Sequence, residues 1–197
     1  NNYQLEKDII TIKDYLKKNG YYFSKVETIV EQLGNKLVSI NHKVELGNKA
    51  KIKKITFVGN TIYKDSKLRS LIVSEEYKFW KFISGRKYLN EKTTKLDERL
   101  LKNFYLNKGF YEVEINTSFA KKIRNDEFEL IYNIRPNDKI FFNDLILNLP
   151  DDFSNDNFES LNNLFSEIKG EPYSINTVNK IIEQIDFITL NLSLIHI

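Results

Sequence analysis

Cysteine is absent from this chain, which excludes disulfides, thiolate metal ligands and cysteine nucleophiles and leaves the redox compartment open. Histidine occurs twice, as His42 inside an expected strand and His196 near the end, so neither a metal cluster nor an acid-base pair has material to form around it. No glycine-rich phosphate loop is present. No run approaches the roughly 18 apolar residues of a membrane helix. The N-terminus, Asn1-Asn2-Tyr3-Gln4, has neither methionine nor the basic-then-apolar pattern of a signal peptide, so the natural start is expected further upstream. An excess of one charge is missing too: 30 basic residues face 27 acidic ones for a net +3, and the signs are interleaved, which argues against nucleic acid as a partner. These absences lead to the expectation of no cofactor, no metal and no catalysis.

What is present is patterned hydrophobicity, at 41% of residues enough for packed cores. Leu5, Ile9, Ile12 and Leu16 share one face of an expected helix from about Glu6 to Asn19, with Gly20 as its left-handed stop. Tyr22 to Gln32 and Leu37 to Glu45 read as a hairpin turning at Gly34-Asn35. Ala50 to Val58 reads as a third strand, with Ile52, Ile55 and Phe57 inward, ending at Gly59-Asn60. Asp65 is expected to cap a short helix bearing Leu68, Leu71 and Ile72. An aromatic stretch, Tyr77, Phe79, Trp80 and Phe82, runs to a break at Gly85. A longer helix follows Asn90 with Leu96, Leu100 and Phe104 on its buried stripe, stopping at Gly109. Phe110 to Ala120 and Glu127 to Arg135 alternate as a second hairpin.

The order helix, glycine-aromatic-aromatic stop, hairpin and connecting strand occurs twice, with Gly20 and Gly109 about 90 residues apart and Ala50 and Ile140 keeping that period. Ile52, Ile55 and Phe57 then map onto Phe142, Leu145 and Leu147 of an expected strand Phe141 to Leu149. Phe158, Leu161, Phe165 and Ile168 mark the next helix, and Tyr173-Ser174-Ile175-Asn176 echoes Tyr88-Leu89-Asn90 before another. The expected division is residues 1–49 as the end of one module, 50–138 as a complete module and 139–191 as the start of a third. Residues 192–197 resemble a translated sequencing adapter and are expected to be a non-native tail.

Four segments carry a family resemblance: Lys51-Ile52-Lys53-Lys54-Ile55-Thr56-Phe57-Val58-Gly59-Asn60, Phe79-Trp80-Lys81-Phe82, Arg86-Lys87-Tyr88, and Leu100-Leu101-Lys102-Asn103-Phe104-Tyr105-Leu106-Asn107-Lys108-Gly109-Phe110. In these the chain resembles POTRA domains, the periplasmic modules of outer-membrane assembly factors, and the tryptophan loop resembles the third domain of such an array. Glu45-Leu46-Gly47 and Arg135-Pro136-Asn137 depart from the family's Glu-Gly junction. The resemblance implies an α+β fold of tandem β-α-α-β-β modules, each with two helices packed on a three-stranded mixed sheet. It implies a periplasmic scaffold at the outer membrane of a Gram-negative bacterium, attached through a barrel outside this sequence. Its implied partners are unfolded outer-membrane β-barrel proteins and accessory lipoproteins, bound by strand addition. The alternatives are the POTRA arm of a related transporter, for two-partner secretion or autotransporter assembly, and an RNA-binding KH-like module, for which Ser84-Gly85-Arg86-Lys87 and Lys169-Gly170-Glu171-Pro172 lack the required Gly-x-x-Gly loop.

The family fold puts the second strand of the module on a sheet edge. Val113, Ile115, Thr117 and Phe119 are therefore the candidate binding residues, because a free edge offers unpaired backbone groups to an extended chain. The competing reading is a solvated edge guarded by Glu112 and Glu114. Phe79, Trp80 and Phe82 form a second candidate, as a partner anchor or as a plug between the two helices. Tyr21, Tyr22, Phe110 and Tyr111 are expected in core packing, and Lys49, Lys51, Lys53 and Lys54 on a solvated strand face. Asp151, Asp152 and Asp156 lack the spacing of a calcium loop and are expected in a turn before the next helix.

Overall fold

The computed structural model describes residues 2–34, 37–80, 84–124, 126–150 and 154–195. Contacts divide the chain into two units, one made of Asn1–Leu101 with Ile115–Ile134 and the other of Lys102–Glu114 with Arg135–Ile197.

The first unit begins with α1, Asn2–Lys18, four residues earlier than the apolar stripe predicts. The stripe itself is right: Leu16 is buried and Leu5, Ile9 and Ile12 are half-buried. Lys17 and Lys18 sit in its last turn, where the helix dipole favours cations. Strands β1, Lys25–Gly34, and β2, Leu37–Glu45, pair antiparallel from Lys25 opposite Glu45 to Gly34 opposite Leu37. β1 starts three residues later than expected, because Ser24 closes a turn onto the Tyr21 carbonyl. The residues between the strands, 35 and 36, lie outside the described set. His42 Nδ1 is 2.8 Å from the Thr28 hydroxyl across the pair.

A three-stranded mixed sheet follows, ordered β3-β5-β4, from β3, Lys51–Val58, β4, Glu114–Arg124, and β5, Glu127–Arg135. β3 runs parallel to β5, and their register slips between Ile52 and Lys54. That bulge explains why Ile52 and Ile55, an odd spacing for one face of a strand, are both fully buried. α2, Asp65–Arg69, and α3, Glu91–Leu106, are the module's helices. Asp65 is the first helical residue and Lys64 holds the cap position without a side-chain bond, so the expected aspartate cap is corrected. At α3 the Asn90 side chain accepts from the Thr93 amide and acts as the cap.

The buried stripe of α3 differs from expectation. Thr94, Asp97, Leu101 and Tyr105 are buried, whereas Leu96, Leu100 and Phe104 are half-buried. The buried face is rotated from the apolar one, with an aspartate, a residue type ordinarily left in solvent, at its centre. β4 also begins at Glu114 instead of Phe110, so Val113 lies one residue outside the strand, buried.

In the second unit, α4, Glu159–Ile168, follows a 3-10 turn capped by the Ser154 hydroxyl, and α5, Ile175–Ile195, completes it. Phe158, Leu161 and Ile181 form its core, joined by Leu145, Leu147 and Leu149. The expected strand Phe141 to Leu149 is not formed. Only Phe141 makes a bridge, to Pro172, since a strand needs a neighbour and no described strand lies beside it. Of the residues expected inward, Leu145 and Leu147 pack on that core and Phe142 is half-buried; Leu149 joins them without having been expected to. Asp151 and Asp152 lie outside the described residues.

Candidate functional site

The two edges of the sheet are treated differently by the chain. Along β3, backbone groups facing away from β5 are occupied: Leu89 N–H donates to the Ala50 carbonyl at 2.9 Å and Tyr77 N–H to Ile52 at 2.6 Å. Ile55 is held on both groups, its N–H donating to Glu76 Oε1 at 3.0 Å and its carbonyl accepting from Arg69 at 2.9 Å. Arg69 and Glu76 also pair with each other at 2.6 Å. Between residues 50 and 55 this edge is closed to an incoming strand.

β4 forms the opposite edge. The alternation leaves Glu112, Glu114 and Asn116 exposed, while Val113 is buried and Ile115 and Thr117 are half-buried. Thr117 N–H donates to Glu98 Oε1 on α3 at 2.7 Å, so it is turned away from β5. By the antiparallel alternation, Ile115 and Phe119 turn their backbone groups the same way. Ile115 and Thr117 thus turn their backbone outward and are half-buried, whereas Val113 lies before the strand with its amide on the Phe110 carbonyl. The Phe119 side chain lies outside the described residues. Glu114 is paired with Arg135 at 3.2 Å.

The aromatic loop resolves differently from a plug. Phe79 is 72% and Trp80 58% exposed, with their rings edge to face at 4.6 Å and the Lys78 ammonium 5.8 Å from the indole. Phe82 lies outside the described residues. The lysine cluster is not a free basic patch. Lys51, Lys53 and Lys54 pair with Asp126, Glu127 and Glu129 at 2.9, 3.4 and 3.1 Å, and the hydrogen bond to Asp126 raises the Lys51 pKa above its ordinary value. Lys49 sits 5.0 Å from the Tyr21 ring. Of the repeat aromatics Phe110 is buried, but Tyr111 is exposed and meets Tyr173 edge-on at 5.3 Å.

Sequence reasoning missed Asp97. Fully buried, its carboxylate accepts from Val73 N–H at 2.6 Å, Ser74 N–H at 3.3 Å and the Tyr132 hydroxyl at 2.6 Å. Burial, then the Asp97 charge, pushes the Tyr132 pKa far above the usual tyrosine range. The network ties α3 to β5 and to the segment after α2. Its signal in the sequence was the Asp97–Leu101–Tyr105 spacing, hidden beneath the apolar one.

Glycine spacing has a structural counterpart. Gly20 (φ +90) and Gly109 (φ +95) end their helices in left-handed conformation, with Tyr21 N–H returning to Leu16 and Phe110 N–H to Tyr105. The Gly20 carbonyl accepts from Ala50, whose own carbonyl accepts from Leu89, at 2.9 Å each. The Gly109 carbonyl accepts from Ile140, whose carbonyl accepts from Tyr173, at 2.8 and 3.0 Å. Each unit therefore contains one such joint. An open cavity of about 400 Å³ in the first unit, lined by Tyr15, Lys18, Asn90, Glu91 and Lys95, offers no catalytic set, for Glu91 and Lys95 pair at 2.8 Å. Among the described residues no group of three or more potential ligands is placed to hold a metal, and no helix is long and apolar enough to cross a membrane.

Residues 50–137, a two-helix, three-stranded β-α-α-β-β module, match the POTRA family model, described as a surface antigen variable number repeat. Among curated proteins it is similar to the outer membrane protein assembly factor BamA of Buchnera aphidicola, at 25% identity over 89% of this chain and 31% of that protein. It is also similar to the BamA of Neisseria meningitidis serogroup B, at 26% identity over 58% of the chain and 14% of that protein. The chain thus spans less than a third of the length of these relatives. The crystal structure of POTRA domains 3–5 of Haemophilus influenzae BamA has the same fold, with a TM-score of 0.54 and 17% identity over 93% of this chain and 68% of that one.

Proposed function

We propose that this chain is a POTRA scaffold of an outer-membrane β-barrel assembly factor, lying on the periplasmic face of the outer membrane and acting by binding, not by catalysis. It takes up extended segments of unfolded barrel proteins, or of accessory lipoproteins, as an added strand on β4. The observation that carries the reading is the asymmetry of the sheet: β3 is held at Ile52 and Ile55 by Tyr77, Glu76 and Arg69, whereas β4 turns Ile115 and Thr117 outward and, among the described contacts, only the Thr117 amide is engaged, by Glu98. Each added backbone hydrogen bond nets about 0.5–1.5 kcal/mol, so four or five bonds stand against an association cost of about 4–15 kcal/mol. Binding of this kind is weak, reversible and nearly indifferent to sequence, as suits a factor with many clients. Photocrosslinking of this protein to an unfolded barrel protein tests it. Ile115→Pro, which removes an outward donor, should abolish the β4 crosslinks while leaving the thermal transition in place; unchanged crosslinking overturns the reading.

A further inference from the structure

Among the described residues, one side chain engages an outward amide of β4, and it has the chemistry of a competitor. An added strand would place a carbonyl oxygen against Thr117 N–H. In this structure a Glu98 carboxylate oxygen stands in that place at 2.7 Å, the stronger acceptor because it is ionised. Beside it the Thr117 hydroxyl oxygen is buried with no partner among the described residues. Glu98 comes from α3, whose side chain at this point is half-buried. The nearby ammonium of Lys95 is committed to Glu91 at 2.8 Å.

We propose that Glu98 is the specificity-determining residue of this edge, selecting extended segments that carry a lysine or arginine at the register of Thr117. The inference rests on the strand-addition reading. For a strand to pair along β4 the Glu98 carboxylate must leave the Thr117 amide. In a half-buried setting an ion set free of its donor is unfavourable unless another donor replaces the lost one. A neutral strand supplies its carbonyl to Thr117 and nothing to Glu98. A strand with a cationic side chain at that position supplies both, taking the amide with its backbone and the carboxylate with its side chain. Glu98 thereby turns an edge that reads only backbone into one that discriminates by charge at a single position.

The test uses two ten-residue peptides of alternating apolar and polar residues that differ only by lysine or glutamine at the position facing Thr117. They are titrated into the full chain with the Thr117 and Ile115 amide resonances as readout. The lysine peptide should bind the unaltered protein about tenfold more tightly, equivalent to about 1.4 kcal/mol. In Glu98→Gln and Glu98→Ala, both compatible with a helix, the two peptides should bind alike, and the glutamine peptide more tightly than to the unaltered protein. Equal binding of both peptides to all three proteins overturns the role of Glu98 and leaves strand addition standing. Failure of both peptides to shift Thr117 or Ile115 in any of the three, or undiminished binding to Ile115→Pro, overturns strand addition itself and this inference with it.

Discussion

At the scale of the single residue, Asp97 holds three donors at once. Replacing it by alanine strands the Tyr132 hydroxyl and the Val73 and Ser74 amides, each worth about 1–3 kcal/mol when buried without a partner. Asp97→Ala should therefore lose about 3–5 kcal/mol in urea unfolding, and Tyr132→Phe, which leaves the carboxylate on its two amides, about 1–2 kcal/mol. Equal losses in the two variants would show that the network does not act as described. The same pair makes a pH prediction. Tyr132 has its pKa raised from 10.0 in the fold, so its contribution is fully present below the unfolded value and is lost as pH rises from there toward the folded one. Above pH 10 the unprotonated unfolded state draws stability down by about 1.4 kcal/mol per pH unit. Subtracting the alkaline stability curve of Tyr132→Phe isolates that slope, and parallel curves would refute it. None of this was legible in the sequence, because a carboxylate is ordinarily a solvent residue. Trp80 misled in the opposite direction: its size favours burial, yet it is exposed.

Glycine at a helix stop is an element-scale device, since it sets where one helix ends and the next strand attaches. A β-carbon on Gly20 would stand 2.6 Å from the Leu89 carbonyl oxygen, while one on Gly34, also left-handed at φ +82, would meet nothing within 4 Å. Gly34→Ala should therefore be destabilising only through its backbone conformation, about 1–2 kcal/mol. Gly20→Ala should exceed it by about 1–3 kcal/mol, because backbone atoms must shift. Thermal unfolding of the two variants compares them, and equal effects would show that the close approach has no consequence. These glycines, the strand alternation and the hairpins were readable from the sequence, because they depend on local conformation and period. Phe141 to Leu149 was not, since its inward side chains follow from the pattern but its backbone pairing depends on a neighbouring strand. The bulge between Ile52 and Lys54 was not read, although the three-residue step from Ile52 to Ile55 departs from the period of a regular strand. For the candidate site, the family resemblance put Val113, Ile115, Thr117 and Phe119 on the edge strand, and the alternation told only which of them share a face. Glu98 escaped notice because a glutamate on an expected helix face carries no sign of the strand amide it reaches.

Protection from solvent should vary over the whole molecule in a way that follows from backbone bonding more than from apolar burial. Ile52, Ile55 and Leu130 are fully buried in a paired three-stranded sheet, and their amides should exchange only through large openings. β1 and β2 form a two-stranded pair with Ile29, Val30, Val38 and Ile40 exposed, and an unsupported hairpin is marginal in water. Residues 143–150 pack Leu145, Leu147 and Leu149 against Phe158 and Leu161, yet described backbone bonds in that run end at Phe142, paired to Glu171 and Gly170. Packing alone does not shield an amide that has no acceptor. Amide hydrogen exchange followed by mass spectrometry should therefore find 143–150 exchanging within seconds, the β1–β2 hairpin next, and β3 with β5 slowest. Protection of 143–150 at the level of β3 would mean that this run is paired as a strand in solution, and the correction of the expected strand would be reversed.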